Sequence, residues 1–430
     1  MRISQTRLMQ SLEKMWGIGA TVNGGVERLA LTDADRDARD LLSTWFEEFG
    51  LAVRVDDFGN MVGRRDGRED LPPILIGSHL DTVPNGGRYD GVLGVLSGLE
   101  VVRTLNDHGV ETKHPIEIVN WTAEEGSRFR PPLFGSGAAL GFRNTDVALN
   151  AVDDSGIRFG DELARIGYAG ETANRPTSAS AYLELHIEQG PILEAEDLPV
   201  GLVQGIIGQS WHEVTIIGKP GHAGANPMHL RKDALVAAAK MVLEIRKLAL
   251  EGTDYAVATV GKMTVEPGAM NIVPAKVVFT VDARCAAVGD LEHIHQGLEA
   301  IARQVETDEG VSVSISGTGA AESVPFDLGI MTVIGEAIAT ENLPRRELWS
   351  GAGHDAHPAS LLWPTGMIFV RSKDGLSHAE AEYSSPDDIE AGTNVLLRTV
   401  LSLDAKNQTA PERKPGESRS GAVGHQQGGC

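Results

Sequence analysis

Four short strand-like runs, Leu51–Val55, Ile74–Gly77, Ile116–Trp121 and Tyr182–Ile187, most restrict what this chain can fold into. Between two of them, Gly91–Leu105 reads as a helix, giving the βαβ pattern of a mostly parallel sheet. Thr32 followed by Asp35 resembles a capping box. Leu41, Leu42, Trp45, Phe46 and Phe49 form one apolar helical face, and Gly50 suits the helix stop. Open sheets of this kind build their sites beyond the carboxyl ends of the strands. The residues that follow each run therefore carry the functional information.

Behind Ile74-Leu75-Ile76 comes Gly77-Ser78-His79-Leu80-Asp81-Thr82-Val83-Pro84, then Asp90-Gly91. His79 and Asp90 fall on the loop leaving the strand, and Asp81 is placed to hold the second ring nitrogen of His79, as metal-bound histidines require. Ile116–Trp121 runs into Glu124-Glu125, adjacent carboxylates that project differently, so that one can bind metal while the other faces a substrate. His186 lies on an alternating strand, in parity with Glu184 and Glu188. His378 sits in the glycine-led turn Gly375-Leu376-Ser377-His378. Any one of these segments alone is an ordinary polar loop or a core histidine. Together His79, Asp90, Glu125, His186 and His378 supply three imidazoles and two carboxylates, borderline ligands suited to zinc, with manganese or cobalt as alternatives. Five side chains suffice for two divalent ions if one carboxylate bridges them. Such a pair activates a shared water, and Glu124 is free to move its proton.

The chain has 430 residues, more than one ordinary domain needs. The texture changes near residue 209. Trp211–Gly218 is strand-like, Asn226-Pro227 reads as the start of a helix through about Leu250, and strand-like stretches (Ala256–Val260, Val277–Asp282, Val311–Ser316) surround a helix near Leu291–Val305. The expected fold is α/β, a mostly parallel-sheet metallohydrolase domain with a smaller inserted α+β, ferredoxin-like domain. The boundaries expected are 1–208, 209–324 and 325–403, with a disordered tail at 404–430. A formal charge of −22 argues against nucleic acid and anionic membrane as partners. No apolar stretch reaches membrane-spanning length and no signal peptide is apparent. Cys285 and Cys430 are too few for a disulfide framework, so a cytoplasmic setting is expected.

The runs GSHLDTVPNGGRYDGVLG, NWTAEEGSRF, ELHIEQGPILE, GHAGANPM, MNIVPAKVVFTVDAR, SGAGHDA and GLSHAEAE occur in this order. In that order they resemble the amidase, hydantoinase/carbamoylase family of the aminoacylase and carboxypeptidase clan of metallohydrolases. The family includes N-carbamoyl-L-amino acid hydrolases, β-ureidopropionases and allantoate amidohydrolases. The resemblance spans about residues 15 to 403. It implies that His79, Asp90 and His186 hold one metal and Asp90, Glu125 and His378 the other, with Glu124 as general base and acid. It implies that the inserted domain forms a homodimer. It also implies that Arg284 and Asn271 bind the substrate carboxylate, and that His222, from the partner subunit, polarises the carbonyl under attack. Gln189 and the backbone of Gly353 would line the pocket, while the roles of His354 and Asp355 stay open. Allantoate-specific members tend to carry arginine near Trp211, so the tryptophan leans toward a carbamoyl amino acid as substrate.

Overall fold

The computed structural model describes residues 1–252, 255–286 and 289–405. Its larger sheet runs, from one edge, through Ala52–Val55, Met61–Arg65, Ile116–Trp121, Ile74–His79, Ala181–Ile187, Thr365–Val370, Val200–Ile206 and Val324–Pro325, with Glu347–Ser350 also pairing with Val200–Ile206. The four middle strands, 116–121, 74–79, 181–187 and 365–370, are mutually parallel. They are buried from end to end, as strands covered on both faces must be. Antiparallel pairs finish both sides of the sheet. Because the middle strands share one direction, all four carboxyl ends open on the same edge.

Helix Val92–Asp107 begins beside Asp90 and is buried from Val92 to Leu105, between the sheet and helices Gln5–Trp16 and Pro386–Ala405. Thr32 caps helix Asp33–Glu48 by accepting from the Asp35 amide, and Gly50 follows its end with φ +76°. The final helix continues to Ala405, past the expected start of the tail, because the Asp404 carboxylate accepts from the His114 amide. The rest of the tail lies outside the described residues.

A second apolar core gathers around a smaller, wholly antiparallel sheet ordered Met263–Glu266, Lys276–Cys285, Gly208–Ile217 and Ser312–Ala321. Val257–Thr259 also pairs with Lys276–Cys285. Strand Lys276–Cys285 alternates strictly between buried and half-buried residues, so one face packs on helices Ala234–Leu250 and Asp290–Glu309. Its other face carries Asp282 and Arg284.

Two expectations need correction. The helix expected from Asn226-Pro227 starts at Ala234, where the Asp233 carboxylate accepts from the Leu235 and Val236 amides. Pro227 is extended, and only a short 3-10 turn, Met228–Leu230, follows before Lys232 bridges back to Lys219. The strand expected at Val311–Ser316 continues to Ala321 with a register shift at Gly317/Gly319. The Trp211 ring lies over Gly319, where an added Cβ would come within 2.9 Å. Glycine there admits the indole but carries no apolar signal.

Candidate metal centre

The four parallel strand ends bring the candidate ligands into one chamber. His79 closes strand Ile74–His79. Its Nδ1 lies 2.9 Å from the Asp81 carbonyl oxygen, an arrangement that puts the proton on Nδ1 and leaves Nε2 facing Asp90 Oδ1 at 3.6 Å. His186 repeats the device, with Nδ1 2.9 Å from the Ile187 carbonyl and Nε2 3.2 Å from the same Asp90 oxygen. On the other side, His378 Nε2 stands 3.4 Å from Asp90 Oδ2 and 3.4 Å from Glu125 Oε2. Asp90 therefore turns one oxygen to His79 and His186 and the other to His378, which also faces Glu125. In each triad, His79–Asp90–His186 and Asp90–Glu125–His378, the donor atoms lie within 4.8 Å of one another. Glu124 joins them, with Oε2 3.6 Å from His79 Nε2.

The backbone carbonyl of Asp81, not its carboxylate, orients His79; the carboxylate stands 3.9 Å from the ring and accepts instead from the Glu124 and Glu125 amides at 3.2 and 3.3 Å. Ala123, just before them, has φ +55°. The Asp81 carboxylate thus holds a strained turn that spreads two adjacent glutamates apart. Glu382 does the same for the bridging residue by accepting from the Tyr89 and Asp90 amides at 2.8 and 3.2 Å. Sequence reasoning missed Glu382. Its signal lay inside the quoted GLSHAEAE run, four residues beyond His378.

The electrostatics favour cations. Asp81, Asp90, Glu124, Glu184, Asp355 and Glu382 are all buried near one another. Burial, reinforced by Asp355 and Glu125, holds Glu124 well above the usual carboxylate range, and burial with Asp90 does the same to Glu125. Burial pulls His79 down to about 4. At His186 burial acts the same way but is outweighed by Asp90, so the imidazole rises to about 9. Burial opposes ionisation of Asp90 as well, but His186 and His378 prevail and keep it well below the ordinary value. Glu125 Oε1 is buried without a hydrogen-bond partner among the described residues. A surplus of buried carboxyl groups that resist ionisation without a cation, an orphaned carboxylate oxygen and imidazole nitrogens turned inward together suit divalent metal.

The remaining candidates divide. Gln189 donates from Nε2 to Asp90 Oδ2 at 2.8 Å, and both Gln189 and Gly353 line the metal chamber of about 430 Å³. His354 lines it too, its ring tilted at 59° to that of His186 with centroids 4.5 Å apart, and paired with the Ser350 hydroxyl. The Asp355 carboxylate points to Ser136, outside the ligand set. Arg284 lines an adjoining chamber. Its fork clasps Asp282 at 3.0 and 2.9 Å, and Nη1 donates to the Gly351 carbonyl at 2.7 Å.

His222 and Asn271 meet on a small exposed ribbon in which His222 faces Ile272 and the Ala223 amide donates to the Asn271 carbonyl. His222 Nδ1 accepts from the Gly224 and Ala225 amides, so its proton is on Nε2. The ribbon joins the Lys276 end of strand Lys276–Cys285, eight residues from Arg284. At about 3.3 Å per residue that separation is roughly 26 Å. Among the described residues no contact joins Asn271 or His222 to Arg284, which lies toward the far end of that strand.

Residues 75–402 match the model of peptidase family M20/M25/M40. An N-carbamoyl-L-amino-acid amidohydrolase of Rhizobium meliloti is 44% identical over 401 residues, covering 93% of this chain and 96% of its own. An allantoate amidohydrolase of Bacillus subtilis is 36% identical over 389 residues, covering 90% and 94%. The crystal structure of an amidase of the hydantoinase/carbamoylase family from Burkholderia multivorans superposes with a TM-score of 0.91 at 44% identity, covering 94% of this chain and 99% of that one. The chain belongs to peptidase family M20/M25/M40, a family of metal-dependent hydrolases, and within it to the hydantoinase/carbamoylase amidases.

Proposed function

We propose that this protein hydrolyses the ureido C–N bonds of N-carbamoyl-L-amino acids, taking up water and releasing the amino acid, ammonia and carbon dioxide. The observation that carries the reading is the two-sided placement of Asp90 between the triads, with Glu124 alongside. His79, Asp90 and His186 would hold one divalent ion and Asp90, Glu125 and His378 the second, zinc first, with manganese or cobalt as alternatives. When bound, such a pair acidifies water and polarises the carbonyl under attack. Glu124 would take the proton of the attacking water and return it to the leaving nitrogen. Its buried, negatively surrounded carboxylate has the raised affinity for a proton that this shuttle needs. Asp81 would keep Glu124 aimed by holding its amide.

Arg284 would anchor the substrate carboxylate. Among the described residues, three of its five N–H groups are committed to Asp282 and Gly351, leaving two for a ligand. His222 and Asn271 would come from a second copy, His222 Nε2–H meeting the developing oxyanion; the ribbon's place at the strand end roughly 26 Å from Arg284 supports this. Helix Ala234–Leu250 supports such pairing because it leaves Leu235, Val236, Leu243 and Leu250 exposed. Among the described residues no helix is long and apolar enough to cross a membrane, and the reading is of a cytoplasmic homodimeric enzyme.

The test is ammonia release from N-carbamoyl-L-amino acids, ureidopropionate and allantoate, each with zinc, manganese or cobalt. Clear preference for allantoate would overturn the substrate, and absence of ammonia from all of them would overturn the reaction.

A further inference from the structure

The ligand set accounts for one chamber, but a larger cavity of about 1100 Å³ opens beside it, between the two sheets. The two share Gln189, Ile207, Trp211, Gly351, Ala352 and His378 as a common rim. The candidate metal ligands His79, Asp90, Glu125 and His186, with the proposed proton shuttle Glu124, line only the smaller chamber, and Arg284 lines only the larger. A substrate with its ureido carbon at the ligands and its carboxylate at Arg284 must pass through that rim. Its Cα and side chain then lie in the larger cavity.

We infer that this cavity is a side-chain pocket that selects N-carbamoyl amino acids with bulky apolar, above all aromatic, side chains, an inference that rests on the function proposed above. Its walls include Ile207, Trp211, Tyr255, Val257, Leu348 and Trp349. Two of the chain's six tryptophans stand here. Trp211 and Val257 are 41% and 51% exposed, so apolar surface is left open where a ligand could cover it.

The charged groups on the walls are largely engaged. Asp282 is clasped by Arg284, and Glu188 accepts from the Ile192 and Leu193 amides. The cavity is bounded by bonds between its walls. Tyr255 donates its hydroxyl to the Glu347 carbonyl at 3.1 Å and Arg284 donates to the Gly351 carbonyl at 2.7 Å, tying the small sheet to strand Glu347–Ser350 and the residue after it. A glycine or alanine derivative leaves these walls wet, whereas an aromatic side chain displaces the water and gains the burial.

The test is kcat/KM for ammonia release from N-carbamoyl derivatives of glycine, L-alanine, L-leucine, L-phenylalanine and L-tryptophan by the metal-loaded enzyme. The expected rise from alanine to phenylalanine is roughly 10- to 100-fold. Val257→Trp, which fills the cavity from an exposed position opposite Arg284 in the sheet, should cut that ratio at least roughly tenfold. Ammonia release with no preference for size, or with glycine preferred, overturns the pocket and leaves the proposed reaction standing. An unchanged ratio in Val257→Trp overturns it as well. If no substrate releases ammonia the reaction itself fails, and calorimetric binding to metal-loaded Glu124→Gln still decides the pocket. Equal affinity for the phenylalanine and glycine derivatives there would overturn it.

Discussion

Gly91 sits between the bridging Asp90 and helix Val92–Asp107 with φ +68°, and an added Cβ would lie 2.4 Å from Cε1 and Nε2 of His79 and 2.5 Å from Cδ2. Carbon contacts normally settle near 3.5 Å, so Gly91→Ala must push the imidazole back by about 1 Å. Metal–ligand distances tolerate only about 0.2 Å, so a displacement that large should weaken the site. A left-handed non-glycine residue costs a further 1–2 kcal/mol or so, wherever it stands. Gly50→Ala isolates that second cost, because Gly50 has φ +76° and no described atom within 4 Å of its added Cβ. In chelator both variants should lose thermal stability, Gly91→Ala the more because the His79 contact adds to the backbone cost. Gly91→Ala alone should lose metal affinity, by roughly 10- to 100-fold, the scale on which displaced ligand supports act. The assay is metal content after dialysis against graded chelator, together with kcat/KM for ammonia release. Wild-type metal affinity and turnover in Gly91→Ala would refute the argument, and equal metal loss in Gly50→Ala would show that backbone strain, not the His79 contact, is responsible.

Glu124→Gln should retain its metal content and lose turnover by roughly 10²- to 10⁴-fold, and full activity in that variant would remove Glu124 from the proton's route. Arg284→Ala should raise KM for carboxylate-bearing substrates, with much less effect on their uncharged amides; equal loss for both would show that Arg284 does not read the carboxylate. Stripping metal should lower the melting temperature by leaving buried carboxylates uncompensated, and re-addition at 100 times Kd should restore about 2.7 kcal/mol. An unchanged melting temperature would count against a site in this chamber. Burial pushes the Asp56 carboxyl up to about 6 despite its bonds from Asn60 and Phe58. The fold therefore favours the neutral acid: the contribution is present below the unfolded value near 4 and lost as pH rises through 6. Asp56→Asn should lose less stability than the parent between pH 4 and 7, by up to about 3 kcal/mol, in unfolding midpoints taken at both pH values, and parallel losses would refute the assignment.

The ligand segments were legible because each is local. A strand's carboxyl end and the next few residues are contiguous, so Ile74–His79 announces His79, and Ile116–Trp121 announces Glu124 and Glu125. The start of helix Ala234–Leu250 was misread because the Asp233 cap competes with an equally plausible Asn226-Pro227. Both pairs obey the local rules, and the Lys219–Lys232 bridge that chooses between them is a contact made only on folding. Which atom of Asp81 holds the ring of His79 is likewise decided only on folding. Proximity to His79 singled out the residue; in the structure its backbone carbonyl meets the ring, and the carboxylate is left for a turn that arrives 43 residues later.

Sequence alone determined the residue types at the strand ends, and hence a centre able to bind divalent metal, because short-range patterning fixes which side chains leave each strand. Only the tertiary structure decided which oxygen of Asp90 faces which imidazole, that Glu382 holds Asp90 in place, and that the His222 ribbon joins the strand at Lys276, roughly 26 Å along it from Arg284. Distances between segments far apart in the chain depend on sheet order and register, and those are chosen by the packing of the whole molecule rather than by any one segment.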